Sequence, residues 1–523
     1  MSIKTYKIES ILGGISPTYY ANSPGQFKAS FGIDPNVFKV GKISGAIFPI
    51  KPTEFSGAVL DGTPKWILTN PKNALIYAYC HNGDIVSYSN VLASETLVGT
   101  ATSGAGNGAV YYNNYLYFAT PTNVSRYGPL DNSPALVNTV WTGATLGSQT
   151  ALSDTAYPAT SPNHPMHVHS DDFLYFGDVL PNGQGAIHAI RTSKVTNEGD
   201  TNNGSAYNVL DLPFGYKPIA IQSLGEDLAI LAVSGGSDTI IYQGESALFL
   251  WDTFSPSFYR KIPIPTSIAT AMKNVNGVLH IFHGSVAISG GFKISTYSGG
   301  TQIQPLQDMP VGVPPSQGAV EVIGNRLYFA GTSVYNSATA ALYARGYTDG
   351  ALPSNALHCV GQISSAASGR KIEAIKAVQQ SQSSMPKVIV GWGDHTNNAA
   401  NNGIDFQSTT SAPGSSLTAQ FDTEVFLVGE PFYIKKVRVN LGAAVGAVGF
   451  ISVTAYFDDG SLSTEIGVIN QANYPNSDIN MVLRPNDAQG QHNFYLNFQF
   501  NGEATSTTPI VLPITIEIET KAD

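Results

Sequence analysis

The chain has 523 residues, 42% of them hydrophobic, enough for two or three domains with a sizeable core and too apolar for a disordered polypeptide. Charged residues make up 12%, about half the usual share of roughly 25%, so the surface must be carried by Ser, Thr, Asn, Gln and Gly. A net charge of −10 without any Lys/Arg run argues against specific nucleic-acid binding, where phosphate contacts supply most of the affinity.

The first ten residues, "MSIKTYKIES", carry no apolar signal core, and no run of about 18 apolar residues predicts a membrane span. The next stretch, "LGGISPTYYANSPGQFKASFGIDPNVF", has glycine pairs, prolines and aromatics but no period. We read residues 1–40 as an extended arm, with Tyr19, Tyr20, Phe27 and Phe31 as its assembly residues, that either runs along the propeller or reaches a neighbour. The alternative is a first strand that closes a ring by pairing N- and C-terminal segments.

Residues 41–410 repeat themselves. Leu75, Leu116, Leu174, Leu228, Leu279, Leu327 and Val388 each open a short apolar run such as "LYFA", preceded by a turn signal and followed by a second strand-like run. Anchors recur at roughly the spacing of propeller blades. The runs are continuous rather than alternating, as in strands covered on both faces. A lone four-stranded sheet cannot bury both faces, whereas a ring of them can. About seven blades are expected, and six or eight also fit. No WD, kelch or sialidase-type box recurs; Trp251-Asp252 is a single copy. "GRKIEAIKAVQQSQSS" fits a helical face at Ile372, Ile375 and Val378 but reads equally as a strand. Cys80 and Cys359 are too isolated for a disulfide framework and read as buried apolar thiols.

Two clusters in this region invite a chemical reading. "NHPMHVHSDD" brings His164, His167, His169, Asp171 and Asp172 together. On a strand His167 and His169 face one way, and with Asp171 they form a candidate divalent-metal set; the plain reading is a loop entering a blade. "GWGDHTNNAANNG" offers Trp392, Asp394 and His395 as a glycan- or receptor-binding surface, with Trp392 as the stacking platform; the plain reading is a long loop. Asp394 and His395 are adjacent, face opposite sides of a strand and cannot bond each other.

After a Ser/Thr/Gly/Asn-rich stretch ending at Ser416, residues 411–523 change character. "FYIKKVRVNLG", "FISVTAYFDDGS", "NFYLNFQFN" and "IVLPITIEIET" are alternating strands that predict an antiparallel β-sandwich, with a bulge at Lys435-Lys436 and a hairpin at Tyr456–Ser461. Asp458-Asp459-Gly460 lacks the further acids of a calcium loop and reads as a turn. The predicted fold is therefore all-β: an extended arm, a propeller of about seven blades and a C-terminal β-sandwich.

The arm, with its Gln26-x-x-x-Ser30-x-x-Ile33-Asp34 phrase, and the C-terminal "FYIKKVRVNLG…ISVTAYFDDGS" resemble structural proteins of tailed bacteriophages, in particular the propeller-containing tail nozzle (tubular) proteins. The resemblance is architectural and spans the whole chain loosely. It implies a virion protein whose partners are copies of itself and other tail or capsid proteins, with an acidic lumen beside a DNA path. Low surface charge fits such packing, since ionic groups carry a larger desolvation penalty. No catalytic motif is present, so no enzyme and no cofactor are expected, a divalent metal at the histidines being the exception. The competing readings are a propeller that binds a host-surface glycan or receptor, and a propeller hydrolase or lyase.

Overall fold

In the computed structural model, the described residues are 2–9, 14–15, 26–31, 46–47, 53–59, 61–71, 75–88, 95–101, 108–120, 123–142, 164–180, 182–190, 207–234, 245–265, 268–284, 291–309, 312–333, 339–347, 357–363, 369–378, 387–396, 398–407, 419–442, 445, 449–474, 480–486, 488–501 and 510–520. They form seven four-stranded antiparallel sheets and a two-sheet sandwich. The fold is all-β, as expected.

Each blade is built from consecutive strands. Blade 1 runs Pro64–Thr69, Ile76–Cys80, Asp84–Tyr88 and Glu95–Thr100 from inside to outside. Blade 2 begins with Gly108–Tyr112, blade 3 with Met166–Val168, blade 4 with Tyr216–Leu224, blade 5 with Ala269–Val275 and blade 6 with Val320–Ile323. Blade 7 contains Lys371–Val378, Lys387–Gly393 and Gly403–Gln407, and takes its outer strand, Thr53–Val59, from the other end of the propeller segment. That strand closes the ring, and the inner strands of blades 7 and 1 lie against each other. Ring closure thus exists, but by residues 53–59 and not by the first forty. The ambiguous "KIEAIKAV" is the inner strand of blade 7 rather than a helix.

The repeat anchors explain the core. Leu116, Leu174, Leu228, Leu279, Leu327 and Val388 all lie on second strands and are buried. The tight turns before them use left-handed residues such as Asn113-Asn114 and Asn276-Gly277, which suit the twist of a hairpin. Each gap between neighbouring blades holds one apolar cluster, and Tyr79 of blade 1 donates its buried hydroxyl to Ala119 O of blade 2 at 2.8 Å. Each large side chain buried there stabilises by about 1.5–3 kcal/mol. Cys80 and Cys359 are buried and free, in blades 1 and 6.

The sandwich corrects the expected arm. One sheet orders Ser2–Ile8, Ile510–Thr520, Phe432–Leu441 and Asn480–Leu483; the other orders Leu462–Asn470, Phe450–Phe457, Asn493–Asn501, Ala419–Asp422 and Ala29–Phe31. Ala46–Ile47 also pairs with the last strand. Ser2–Ile8 and Ala29–Phe31 are therefore edge strands of the C-terminal domain, and the propeller strands begin at Thr53, not near residue 41. The physical reason is edge satisfaction: the C-terminal strands leave open edges whose backbone groups need partners. Phe27, expected as an assembly residue, is 1% exposed and packs on Phe421 with ring centroids 5.1 Å apart. Phe31 pairs through its backbone with Gln420; its side chain, Tyr19 and Tyr20 lie outside the described residues, as does the stretch 408–418. The bulge falls between Ile434 and Lys436, and Phe450–Phe457 and Leu462–Asn470 form the predicted hairpin. The Asp458 carboxylate in that turn accepts the backbone N–H groups of Gln491 and His492, a clamp rather than part of a calcium loop.

The core of the sandwich is continuous with the cluster between blades 5 and 6, where Phe282, Phe292 and Phe329 meet. The outer strand of blade 6, Leu357–Gln362, lies against Ala29–Phe31.

Candidate functional site

The histidine cluster divides into two arrangements. His167 and His169 do face one way, and converge on Ser223 of blade 4: its hydroxyl lies 2.7 Å from His167 Nε2 and 2.8 Å from His169 Nδ1. The Ser223 N–H donates to His167 Nε2 at 3.0 Å, and His169 Nε2 donates to Glu226 O at 3.0 Å. Burial, reinforced by the Lys273 charge, pushes His167 down to about 3, so its ring is neutral. Asp171, the third expected ligand, is turned away: it accepts from Tyr175 OH at 2.6 Å and from Phe173 N at 3.0 Å. The three do not converge, and no group of three His, Cys, Asp or Glu that could hold a metal occurs among the described residues. Asp172 supplies a left-handed turn residue.

His164 belongs to a different, wholly buried set. Its Nδ1 lies 2.9 Å from Gly177 O and 3.5 Å from Asp178 Oδ1, while His188 Nε2 is 3.1 Å from Asp178 Oδ2. This pins the entry of blade 3 to its own second and third strands. The signal for Asp178 was a carboxylate inside an apolar strand, "LYFGDV", which must find partners.

Of the glycan candidate, Asp394 and His395 are partly exposed but the expected stacking platform is not. Trp392 is 3% exposed, inside the cluster between blades 6 and 7, with the Arg370 guanidinium 5.3 Å from its ring centroid. A Trp in a strand with both faces covered packs inward. Asp394 accepts Thr396 N at 3.0 Å, and His395 Nε2 lies 3.3 Å from Glu373 Oε1. Glu373 is buried. Burial alone would raise its carboxyl, but the His395 hydrogen bond and charge, with Lys65 and Lys371, hold it below the ordinary range.

The propeller axis holds a cavity of about 410 Å³, bordered by inner-strand residues of all seven blades. The turn Gln317–Ala319 touches the inner strands of blades 5, 7 and 1. Gln317 donates to Met272 O at 2.9 Å and accepts Met272 N at 2.8 Å. Gly318 presses so tightly that a Cβ would lie 2.1 Å from Lys65 O. Gln317 and Gly318 thus border one side of the axial cavity. On its wall Glu321 bridges Lys273 Nζ at 3.2 Å and Lys376 Nζ at 3.1 Å. Burial would raise the Glu321 carboxyl, but the two ammonium groups hold it below its ordinary range. The sequence signal was again a charge within an apolar strand, "VEVI".

On the outer part of blade 4, Trp251–Arg260 forms an organised loop. Asp252 accepts Phe254 N at 3.1 Å, Ser255 N at 2.8 Å and Ser255 Oγ at 2.7 Å, and Trp251 Nε1 donates to Ser255 O at 2.7 Å. The loop holds Phe254 91% exposed.

The described residues define a seven-bladed β-propeller carrying a β-sandwich. Solved structures similar to the chain include the computationally designed Ika8 protein (11% identity, 68% of this chain and 99% of that one, TM-score 0.39). The WD40 domain of Neurospora crassa Pan2 (8%, 69% and 97%, 0.40) and the WD40 propeller domain of Doa1 (11%, 68% and 98%, 0.42) are also similar. No protein-family model and no curated protein matches the chain. No helix among the described residues is long and apolar enough to cross a membrane.

Proposed function

We propose that this chain is a structural subunit that works by assembly, specifically a tail component of a bacteriophage virion. The observation that carries assembly is Phe254: a large apolar side chain held out to solvent by a turn whose acceptors and donors are already satisfied. Such a preorganised aromatic is the kind of residue that anchors an interface, because little entropy is lost when it is buried. Its occupant in this reading is a second copy of the chain. The resemblance of the arm text and the C-terminal strands supports the virion assignment. Since the propeller's own axis is a cavity of only about 410 Å³, too small for a DNA duplex, a DNA path in this reading runs along the outside of the disc, between copies.

Light scattering on the full chain, with electron micrographs of the same peak, tests this. A closed ring or other symmetric oligomer is expected for the wild type, and its loss in Phe254→Ser with the melting temperature unchanged. A wild-type monomer at all accessible concentrations, or an oligomer indifferent to F254S, overturns the reading.

A further inference from the structure

We propose that the axial cavity binds a small organic monoanion, a carboxylate with a compact apolar body. The argument starts from charge. Lys273 and Lys376 face a single carboxylate, Glu321, so one positive charge is left uncompensated inside a chain of net charge −10. The lysine side chains are 21% and 31% exposed and that of Glu321 15%, so water answers this charge only in part.

Donors are in excess as well. Each ammonium has three N–H groups, and Glu321 is the one acceptor of each among the described residues. The lining is mixed: Thr69, Gln222 and Gln317 stand beside apolar and aromatic residues such as Trp66, Tyr111 and Met166 across the axis. A volume of about 410 Å³ falls in the usual range of small-molecule sites.

The same inventory selects the ligand. A monoanion neutralises the surplus charge. A dianion leaves a net negative charge in a partly dehydrated site, and a neutral molecule leaves the ammonium donors unanswered. The apolar part of the lining, Trp66, Val110 and Met166 among it, offers contact to an organic body that a bare inorganic ion cannot use.

The test uses the full chain and a defined set of probes: acetate, hexanoate, benzoate and indole-3-acetate, with benzamide as the neutral counterpart of benzoate, and chloride and phosphate as inorganic anions. Calorimetric titration is expected to find saturable binding of at least one of the larger carboxylates and none of benzamide. Affinity should fall about tenfold or more in Lys273→Met and in Lys376→Met, the scale of a lost hydrogen bond to a charged group. Glu321→Gln should instead tighten binding, because it frees both ammonium groups; a gain of affinity cannot arise from misfolding. The proposal is overturned if no carboxylate of the set binds at millimolar concentration, if benzamide matches benzoate, or if chloride or phosphate binds more tightly than every carboxylate. Unchanged affinity in both lysine variants overturns it as well. It stands independently of whether the disc assembles.

Discussion

The propeller and the sandwich are both antiparallel β-structure, yet they are written differently into the chain. In blades 1 to 6 the four strands are consecutive, and the second strands are buried on both faces: Leu174–Val179 is buried at every position. In the sandwich the strands alternate, as in Phe450–Phe457, with one face on the core and one toward solvent. Its sheets also gather strands from opposite ends of the chain, Ser2–Ile8 pairing with Ile510–Thr520. A blade is local and needs neighbours in space to cover its faces. The sandwich covers its own faces but needs distant sequence to complete its edges.

The largest effect that separates the two is deletion of residues 1–31. A free arm predicts an intact fold that only assembles poorly. The pairing of Ser2–Ile8 and Ala29–Phe31, with Phe27 in the core, predicts collapse of the sandwich instead. Loss of Phe27 alone costs about 3–5 kcal/mol. Calorimetry should lose the sandwich transition while limited proteolysis still recovers a propeller fragment; a single unchanged transition would restore the arm.

Acid should next distinguish the regions. Burial pushes His167 down to about 3 and His280 and His283 down to about 4, and all three are in the propeller. For a base with a depressed folded pKa, the unfolded chain binds more protons, so stability is full above about 6.5 and declines as pH falls toward the folded value. Each group removes about 1–2 kcal/mol by pH 5. The depressed carboxyls of the sandwich, Glu430 and Glu517, act only below the ordinary carboxylate range. Between pH 6.5 and 5 the propeller transition should therefore fall while the sandwich transition stays; a parallel decline of both would mean the continuous core makes them one cooperative unit.

The smallest effect is expected on the outer face of the sandwich, where Glu517 meets Lys436 at 2.7 Å and Arg438 at 3.3 Å in partly exposed positions. Glu517→Gln should barely move the sandwich melting temperature, and less still at high salt. A large drop would mark that face as less solvated than its exposure implies.

Much of the propeller was legible in sequence because local blades repeat their text: the seven anchors Leu75 to Val388 pointed to about seven blades, the number that forms. The sites were less legible. His167 and His169 were read to one face correctly, but their shared partner Ser223 lies in the next blade, and Asp171 was claimed by Tyr175 four residues on. Trp392 looked like a surface platform because its neighbours are polar, whereas covering both strand faces drew it inward. Lys273, Glu321 and Lys376, each from a different blade, meet only at the ring's axis.

Local patterning by itself determined the all-β class, the blade text, the alternation of the late strands and their hairpin and bulge, because these depend on turn residues and on periods of a few side chains. Tertiary structure alone decided ring closure by Thr53–Val59, the use of Ser2–Ile8 and Ala29–Phe31 as sandwich edges, the turn Gln317–Ala319 at the axis and the charged cavity it borders. Those features join residues up to five hundred positions apart, and backbone pairing of that kind follows from which edges and cavities remain open once the sheets have formed.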